Sequence, residues 1–546
     1  MEAGHLTSGG ESAKRAWRAG RRNAWIAALV ACILPALGIT WGTPGLCDAS
    51  PDAPLPLRSL LSFETWPCGK LPFDKYPEAG HLLFGASEWI ASRIVLSADE
   101  RGRIDRLSDD LAVHQAAHSG DPGFDILRPQ LELGAGLEPA LTRLVIAGRI
   151  ATLLMALLLA LSAAEVAAQL ASPRFGWIAA LAVPLVPGMA HYAATTNTDV
   201  PALAWALFAW ALLLRGAREG RLRLFLASGV AMGLAAATKD QIVALLPGIA
   251  LFALRRPCRL LARFGLLALG AGVAYFLTSG MTHGRLWLDH VRFILGPGSE
   301  PYRQFPATVA GAVDLLRASS DRLLAAGGYI GLGGLLLLVA AAILSRKFRP
   351  LVLFVPIATY VALFLIPLGY VYPRFTLPIA VCGAIAVAVA IRHLGGAPPR
   401  RRVWLGVLVG ISAVGDGWQV IEAKRSDPRP LSITALAAAR QPGDEAVVCP
   451  LPWLYWPFPP LAAPVRFATL MELVAERKAG VAAPRWLWFA VDPHQGIASA
   501  DALEAVGKQL GMTLRSRFVA DSESLLVTQT EGLVLPTVAL FERDDR

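Results

Sequence analysis

Four short stretches of this sequence place ionisable or hydrogen-bonding side chains directly beside long apolar runs. Such groups are costly near the hydrocarbon of a membrane, so each stretch is a candidate for a binding or catalytic role. The candidate residues are Asp48, Asp52, Lys75, His81, His191, Asn197, Asp199, Lys239 and Arg374. A carboxylate placed there is suited to act as a general base, and a lysine or arginine is suited to hold a phosphate.

The first two stretches also have structural explanations. Asp48 and Asp52 lie in CDASPDAPLPLRSL, and Asp, Ser and Pro all favour turns. Lys75 and His81 lie in PFDKYPEAGHLLFG, which reads as the start of an amphipathic helix at the membrane interface. A lysine at that position commonly extends its ammonium towards the headgroups. Local sequence leaves the functional and structural interpretations open for all four residues.

The other two stretches lie at predicted helix ends. In HYAATTNTD, which begins at His191, a side chain among Asn197, Thr198 and Asp199 is placed to cap the next helix. Lys239 and Arg374 are each the single Lys or Arg of a short loop, where contact with lipid headgroups would also explain them. Capping and function can coexist, so the helix ends remain candidate sites.

The apolar runs around these residues predict an α-helical polytopic membrane protein with about eleven transmembrane helices. Of the 546 residues, 55% are hydrophobic and only 17% are charged, whereas soluble domains carry about a quarter charged residues. A span needs roughly 20 mostly apolar residues. The predicted spans lie near residues 24–41, 143–168, 175–191, 199–214, 223–237, 241–254, 264–280, 326–345, 350–367, 375–391 and 403–420.

The basic residues indicate how these spans are oriented. Lys and Arg concentrate in the N-terminus and in the tracts 215–223, 255–263, 346–349 and 392–402, all on one side of the predicted bundle. Positive loops stay cytoplasmic. The sequence therefore predicts a cytoplasmic N-terminus and an extracytoplasmic C-terminus in a bacterial-type inner (plasma) membrane. The formal net charge of +10 is explained by this topology, so no nucleic-acid partner is expected.

Two long segments then face outward. The predicted membrane domain covers residues 1–420 and includes an outer loop at 42–142, with an amphipathic stretch at 81–96. Residues 421–546 form the second predicted domain, a small extracytoplasmic α/β unit. Its predicted strands are 445–449, 486–491, 513–519 and 524–528, around a helix at 499–510. Cys47 and Cys68 share the outer loop and are either a disulfide or free thiols.

The motifs, taken in order, resemble the GT-C class of membrane glycosyltransferases that use a polyprenyl-phosphate-linked sugar. The branch most similar contains the protein O-mannosyltransferases and the bacterial aminoarabinose transferase of lipid A. The likeness covers about residues 20–400 and is carried by SPDAPLPLRSL, KYPEAGHLLFG, HYAATTNTDVPALAWALFAWALLL, GLAAATKDQ and YPRFTLPIAV. It implies transfer of a sugar from the lipid-linked co-substrate to a hydroxyl of a protein, lipid or glycan acceptor outside the cytoplasm.

The resemblance assigns roles to matching positions. Asp52 corresponds best to the family's catalytic base, and Asp48 is the alternative position for that base. Asp199 corresponds to the acid of the family's second outer loop. Lys75 and Arg374 correspond to phosphate-side cations, and a single displacement predicts inversion at the sugar carbon. His81, His191, Asn197 and Lys239 complete the predicted substrate-binding set, which lies among membrane lipids.

Two positions depart from the family pattern. The family often has adjacent acids in the first loop, but Ala53 follows Asp52 here, and Glu78 replaces the usual second proline after Tyr-Pro. The choice of base and the presence of a divalent metal therefore stay open.

Two other functions compete with this interpretation. A secondary transporter would show inverted repeats and charges near the bilayer midplane. A non-catalytic membrane assembly factor would act mainly through its tail. Neither an internal repeat nor a midplane charge cluster is evident in the sequence, which favours the enzyme.

Overall fold

The structure is a computed structural model. It describes residues 5–41, 43, 59–60, 63–64, 78–117, 136–255, 259–295, 300, 303–347, 349–394, 399–449, 465–491, 498–519 and 537–543. Most of these residues are helical, and the last hundred contain a small sheet. A helical membrane protein with a C-terminal α/β unit is thereby confirmed.

Nineteen α-helices lie in the described part of the chain. They are α1 His5–Leu37, α2 Glu78–Val95, α3 Ala98–Ala117, α4 Glu138–Leu170, α5 Gly176–Leu185, α6 Pro187–Tyr192, α7 Asp199–Glu219, α8 Leu222–Thr238, α9 Leu246–Ala250, α10 Leu260–Thr278, α11 Arg285–Leu295, α12 Val309–Ser345, α13 Phe354–Tyr360, α14 Ile366–Leu368, α15 Leu377–His393, α16 Pro399–Arg425, α17 Pro428–Ala439, α18 Leu470–Lys478 and α19 Ala500–Leu510.

Seven helical segments of the described chain are long and apolar enough to cross a membrane. They are Glu138–Leu170, Asp199–Glu219, Leu260–Thr278, Val309–Ser345, Pro350–Leu368, Pro373–His393 and Val403–Ala439. The other predicted spans coincide with α1, the broken pair α5 and α6, the shorter apolar helix α8, and a run of 3₁₀ and α turns from 240 to 255. The apolar part of Pro373–His393 is buried on all sides, so this helix forms the centre of the bundle.

Glycines set the closest helix contacts in this bundle. The helices α12 and α15 approach so closely that a methyl group at Gly334 would lie 2.1 Å from the carbonyl oxygen of Gly383. The helices α8 and α10 pack through Gly229 and Gly270 in the same way. Small residues at such crossings let backbones touch, which is how helices associate in lipid without a hydrophobic driving force.

Substituting Gly334 with alanine is expected to destabilise the bundle. The new methyl group would force α12 away from α15, and overpacking of this kind costs about 1–3 kcal/mol. Gly333 on the same helix has open space around its Cα, so Gly333→Ala is the matched control. Thermal unfolding in detergent should show a lower Tm for Gly334→Ala and an unchanged or higher Tm for Gly333→Ala. Equal Tm values for the two variants would contradict the tight crossing.

The long helix α12 is broken at Gly328. This glycine has φ 57° and ψ −167°, outside the helical region. The carboxylate of Asp416 on α16 accepts a hydrogen bond from the backbone N–H of Tyr329. A buried carboxylate therefore caps the second half of α12, which satisfies a backbone donor that the break exposes.

The C-terminal sheet contains five strands in the order β2-β1-β3-β5-β4. The strands are β1 Ala446–Cys449, β2 Val465–Phe467, β3 Trp486–Val491, β4 Met512–Phe518 and β5 Thr537–Arg543. The first three are parallel, and β5 runs antiparallel to β3 and β4. Three predicted strands and the predicted helix are confirmed within a residue or two, and the fourth predicted strand, 524–528, lies outside the described residues.

The sheet packs on the segment between α1 and α4. Apolar side chains of α3 and α4, such as Ile104 and Leu141, share one buried cluster with Trp488 of β3 and Leu540 of β5. The indole N–H of Trp488 also donates to Ser432 Oγ of α17, at 2.8 Å. The two large segments that the sequence predicts outside the membrane are therefore on the same side of the bundle.

Helix α2 lies across several helix ends on that side. A methyl group at Gly80 would lie 2.7 Å from Thr198 Cγ2 and 3.7 Å from the carbonyl oxygen of Thr238. The side chain of Glu78 packs against Gly280, just after α10. We call this surface, formed by the Thr198, Thr238 and Gly280 ends and covered by α2, the loop face.

Candidate functional site

A buried ion pair lies at the loop face. Lys239 Nζ is 2.5 Å from Asp199 Oδ1, and the two side chains are only 2% and 5% exposed. Asp199 is the first residue of α7 and Lys239 follows the last residue of α8. The two helices form an antiparallel hairpin, so these ends meet. An acid at a helix N-terminus and a cation at a C-terminus also suit the helix dipoles.

The residues before α7 add further buried polar groups. Asn197 Oδ1 accepts a hydrogen bond of 2.7 Å from the backbone N–H of Asp199, so the predicted capping role is present. Among the described residues, Asn197 Nδ2 and Asp199 Oδ2 have no hydrogen-bond partner. Buried polar atoms are nearly always satisfied. Two such exceptions beside one ion pair make this a candidate binding site for a polar ligand.

His81 is brought to the same face by α2. It follows Gly80, which packs on both chain ends that form the ion pair. Its ring is buried, and Nδ1 lies 3.3 Å from the hydroxyl of Ser59. A residue of the predicted outer loop, Ser59, therefore reaches the α2 surface directly beside the hairpin ends.

Arg374 is connected to this region through aromatic side chains. The Asp199 carboxylate is near enough to Tyr360 to act on it electrostatically. The Tyr360 hydroxyl donates to the carbonyl oxygen of Phe375 at 2.9 Å, and the Arg374 guanidinium lies 5.5 Å from the rings of both Tyr372 and Phe375. The arginine is thus held against the aromatic faces of Tyr372 and Phe375.

His191 belongs to a second polar cluster. Its ring packs edge-on against Trp41, with the ring centres 5.6 Å apart, and its carbonyl oxygen accepts from Lys424 Nζ at 3.1 Å. The Trp41 ring is flanked by the cations of Lys424 and Arg429, and its N–H donates to Asp427 Oδ2 at 3.0 Å. This cluster joins the end of α1 to the start of the C-terminal unit.

Three predicted site residues, Asp48, Asp52 and Lys75, lie outside the described residues, and so do Cys47 and Cys68. Their roles stay predictions. Within the described ranges, no group of three or more His, Cys, Asp or Glu side chains is placed to hold a metal ion.

Several buried charged residues of the described chain were missed by the sequence analysis, and two of them have no exposed surface. Arg149 in α4 is fully buried, and its guanidinium donates to the carbonyl oxygens of Ile39 and Trp41 at 2.6 and 2.7 Å. Glu88 in α2 is fully buried as well. A signal existed for Glu88, because it falls at helical spacing on the same face as His81 and Phe84.

One family model matches the chain. Residues 143–282 match the family described as dolichyl-phosphate-mannose-protein mannosyltransferase. The family resemblance read from the motifs is thereby confirmed over this segment. It contains Asp199 and Lys239, so the buried ion pair lies within the segment that matches this family model. No curated protein sequence matches the chain.

Several solved structures are similar over most of the chain. The apo structure of ArnT from Cupriavidus metallidurans is 15% identical, with a TM-score of 0.47 over 94% of this chain and 97% of that one. The structure of ArnT from the same organism bound to undecaprenyl phosphate is 14% identical, with a TM-score of 0.47 over 94% of this chain and 98% of that one. The Archaeoglobus fulgidus oligosaccharyltransferase in complex with Zn and sulfate is 14% identical, with a TM-score of 0.40 over 88% of this chain and 69% of that one. At these TM-scores, the similarities assign neither ligand nor residue to this chain.

Proposed function

We propose that this protein is a membrane glycosyltransferase. It takes one sugar from a polyprenyl-phosphate donor and transfers it to an acceptor hydroxyl at the loop face, outside the cytoplasm. The observation that carries the proposal is the buried Asp199–Lys239 pair, at the end of the hairpin that the family model covers. A buried charge pair of this kind contributes little net free energy of folding, because the cost of desolvating both charges offsets much of their attraction.

The chemistry follows from the residue types. The acceptor hydroxyl loses its proton to Asp52, and its oxygen attacks the anomeric carbon while the bond from that carbon to the phosphate oxygen breaks. Attack opposite the leaving group inverts the sugar carbon. The phosphate leaves as polyprenyl phosphate, and its charge needs cations more than a proton. Asp48 is the alternative base.

Lys239, Arg374 and Lys75 supply those cations in this proposal. A lysine ammonium carries three N–H donors, so it can hold a carboxylate and a phosphate at the same time. Asp199 fixes the position of Lys239 through the ion pair. The planar Arg374 guanidinium can bind phosphate with two parallel hydrogen bonds. The roles of His81, His191 and Asn197 in substrate binding belong to the same proposal.

The proposal is tested by donor turnover. Purified protein in lipid nanodiscs is given undecaprenyl phosphate and dolichol phosphate carrying mannose, glucose or aminoarabinose. We expect release of the free lipid phosphate from at least one donor, dependent on an acceptor fraction of envelope proteins, lipids or glycans. NMR of the product should show the inverted anomer. Absence of release from every donor, with all acceptors, would contradict the proposal.

Substituting Arg374 with alanine should weaken donor use with every acceptor. Loss of a charge-assisted hydrogen bond costs about 1.5–3 kcal/mol, or roughly ten- to a hundredfold in donor KM. Arg317→Ala is the control, because that arginine is 78% exposed in its side chain. Steady-state kinetics against donor concentration give the comparison. Equal donor KM values for the Arg374→Ala and Arg317→Ala variants would remove Arg374 from the site.

A further inference from the structure

The carboxyl group of Glu88 is an unusual feature of the loop face. Glu88 is on α2 and is completely buried. Both of its carboxyl oxygens lack a hydrogen-bond partner among the described residues. A buried polar group without a partner is strongly unfavourable, and an apolar residue of the same shape would avoid that cost. The side chain therefore needs an explanation beyond packing.

The surroundings of Glu88 place it beside the proposed site. A methyl group at Gly148 would lie 3.2 Å from Glu88 Oε1, and 2.9 and 3.3 Å from Cγ2 and Oγ1 of Thr196. Because Gly148 has no side chain, the Glu88 carboxyl group and the Thr196 side chain can both pack closely against the same point of α4. Thr196 lies three residues before Asp199, in the turn that positions the ion pair.

The chemistry of the two groups distinguishes between ligands. Burial raises the pKa of the Glu88 carboxyl well above its usual range, which favours the neutral acid. A neutral carboxylic acid and a threonine hydroxyl each donate and accept one hydrogen bond. A sugar hydroxyl also donates and accepts, whereas a phosphate is better served by the cations Lys239 and Arg374.

We propose that Glu88 and Thr196 form a subsite for a hydroxyl group of the donor's sugar. The subsite rests on the proposed function, because it selects the sugar that the lipid phosphate carries. Gly148 lets both side chains approach its backbone, and the ligand's hydroxyl satisfies the Glu88 carboxyl oxygens, which have no partner among the described residues.

The experiment compares lipid phosphates with and without sugar. Binding of undecaprenyl phosphate and of the sugar-bearing donor turned over by the wild type is measured on nanodisc-embedded protein. The wild type should bind the sugar-bearing lipid at least tenfold more tightly. Glu88→Met should lose that preference, bind the bare lipid unchanged and unfold at the same or a higher temperature. Glu88→Gln, which keeps a donor and an acceptor, should retain most of the preference.

Several outcomes would overturn the subsite. Full sugar preference in Glu88→Met would exclude Glu88, and an equal loss of both affinities would indicate a structural role. If Glu88→Met does not fold, the isosteric substitution Thr196→Val tests the same subsite. Retention of the sugar preference in Thr196→Val would exclude the subsite. Donor turnover by the wild type separates these failures from failure of the proposed function. Turnover with no sugar preference overturns the subsite alone, and absence of turnover overturns both.

Discussion

Replacing Lys239 with methionine is expected to abolish sugar transfer and to destabilise the protein. The substitution leaves the Asp199 carboxylate buried without its cation. Removing one partner of a buried pair costs about 3–5 kcal/mol. If Lys239 also stabilises the leaving phosphate, the turnover number should fall by about 10²–10³. Donor turnover and thermal unfolding of the purified variant give the two measurements.

A second substitution separates stability from catalysis. Adding Asp199→Asn to Lys239→Met removes both charges and should recover most of the lost Tm, because no unpaired charge remains buried. Transfer should stay at the level of the single variant, since the cation is still absent. Recovery of transfer in the double variant would show that the pair only supports the fold.

From the sequence, Asp199 and Lys239 are separate candidates, and their contact is not predicted. The contact follows from the two helices that carry them. Asp199 begins one apolar run of helical length, Lys239 follows the next run, and the basic tract 215–223 lies between the two runs. Two consecutive antiparallel helices bring the start of the first near the end of the second, so the two residues meet.

The polar cluster around Trp41 and His191 could not be predicted from the sequence. Arg149 holds the carbonyl oxygens of Ile39 and Trp41 across more than a hundred residues of sequence. Lys424 contacts His191 across 233 residues. Tertiary packing sets these distances, and no periodicity or spacing in one sequence encodes them. His191 therefore lies in a cluster with the C-terminal unit, whereas the predicted set places it with Asp199.

The strands of the C-terminal sheet also differ in how well the sequence predicts them. The strand β3 was predicted with its observed bounds, 486–491, since a short apolar run rich in tryptophan is typical of a buried strand. The interior strand β5 was missed, although its first five residues are buried. Its pairing with both β3 and β4 depends on residues far away in sequence, and β5 lies close to the C-terminus beyond an undescribed stretch.

Asp52 is the residue whose loss should affect the chemical step most. The substitution Asp52→Asn keeps the size of the side chain and removes the base, and general base catalysis contributes about 10²–10⁴ in rate. The turnover number should fall by that factor, while binding of undecaprenyl phosphate changes little. Asp48→Asn is the matched comparison, four residues earlier in the same loop.

The sequence places Asp52 seven positions before Ser59, whose hydroxyl oxygen lies 3.3 Å from His81 Nδ1. The two substitutions decide which acid of this loop is the base. If Asp48→Asn loses turnover and Asp52→Asn keeps it, Asp48 is the base. If both variants keep full turnover, the acceptor proton leaves by another route, and Asp199, an acid at the loop face, becomes the candidate base.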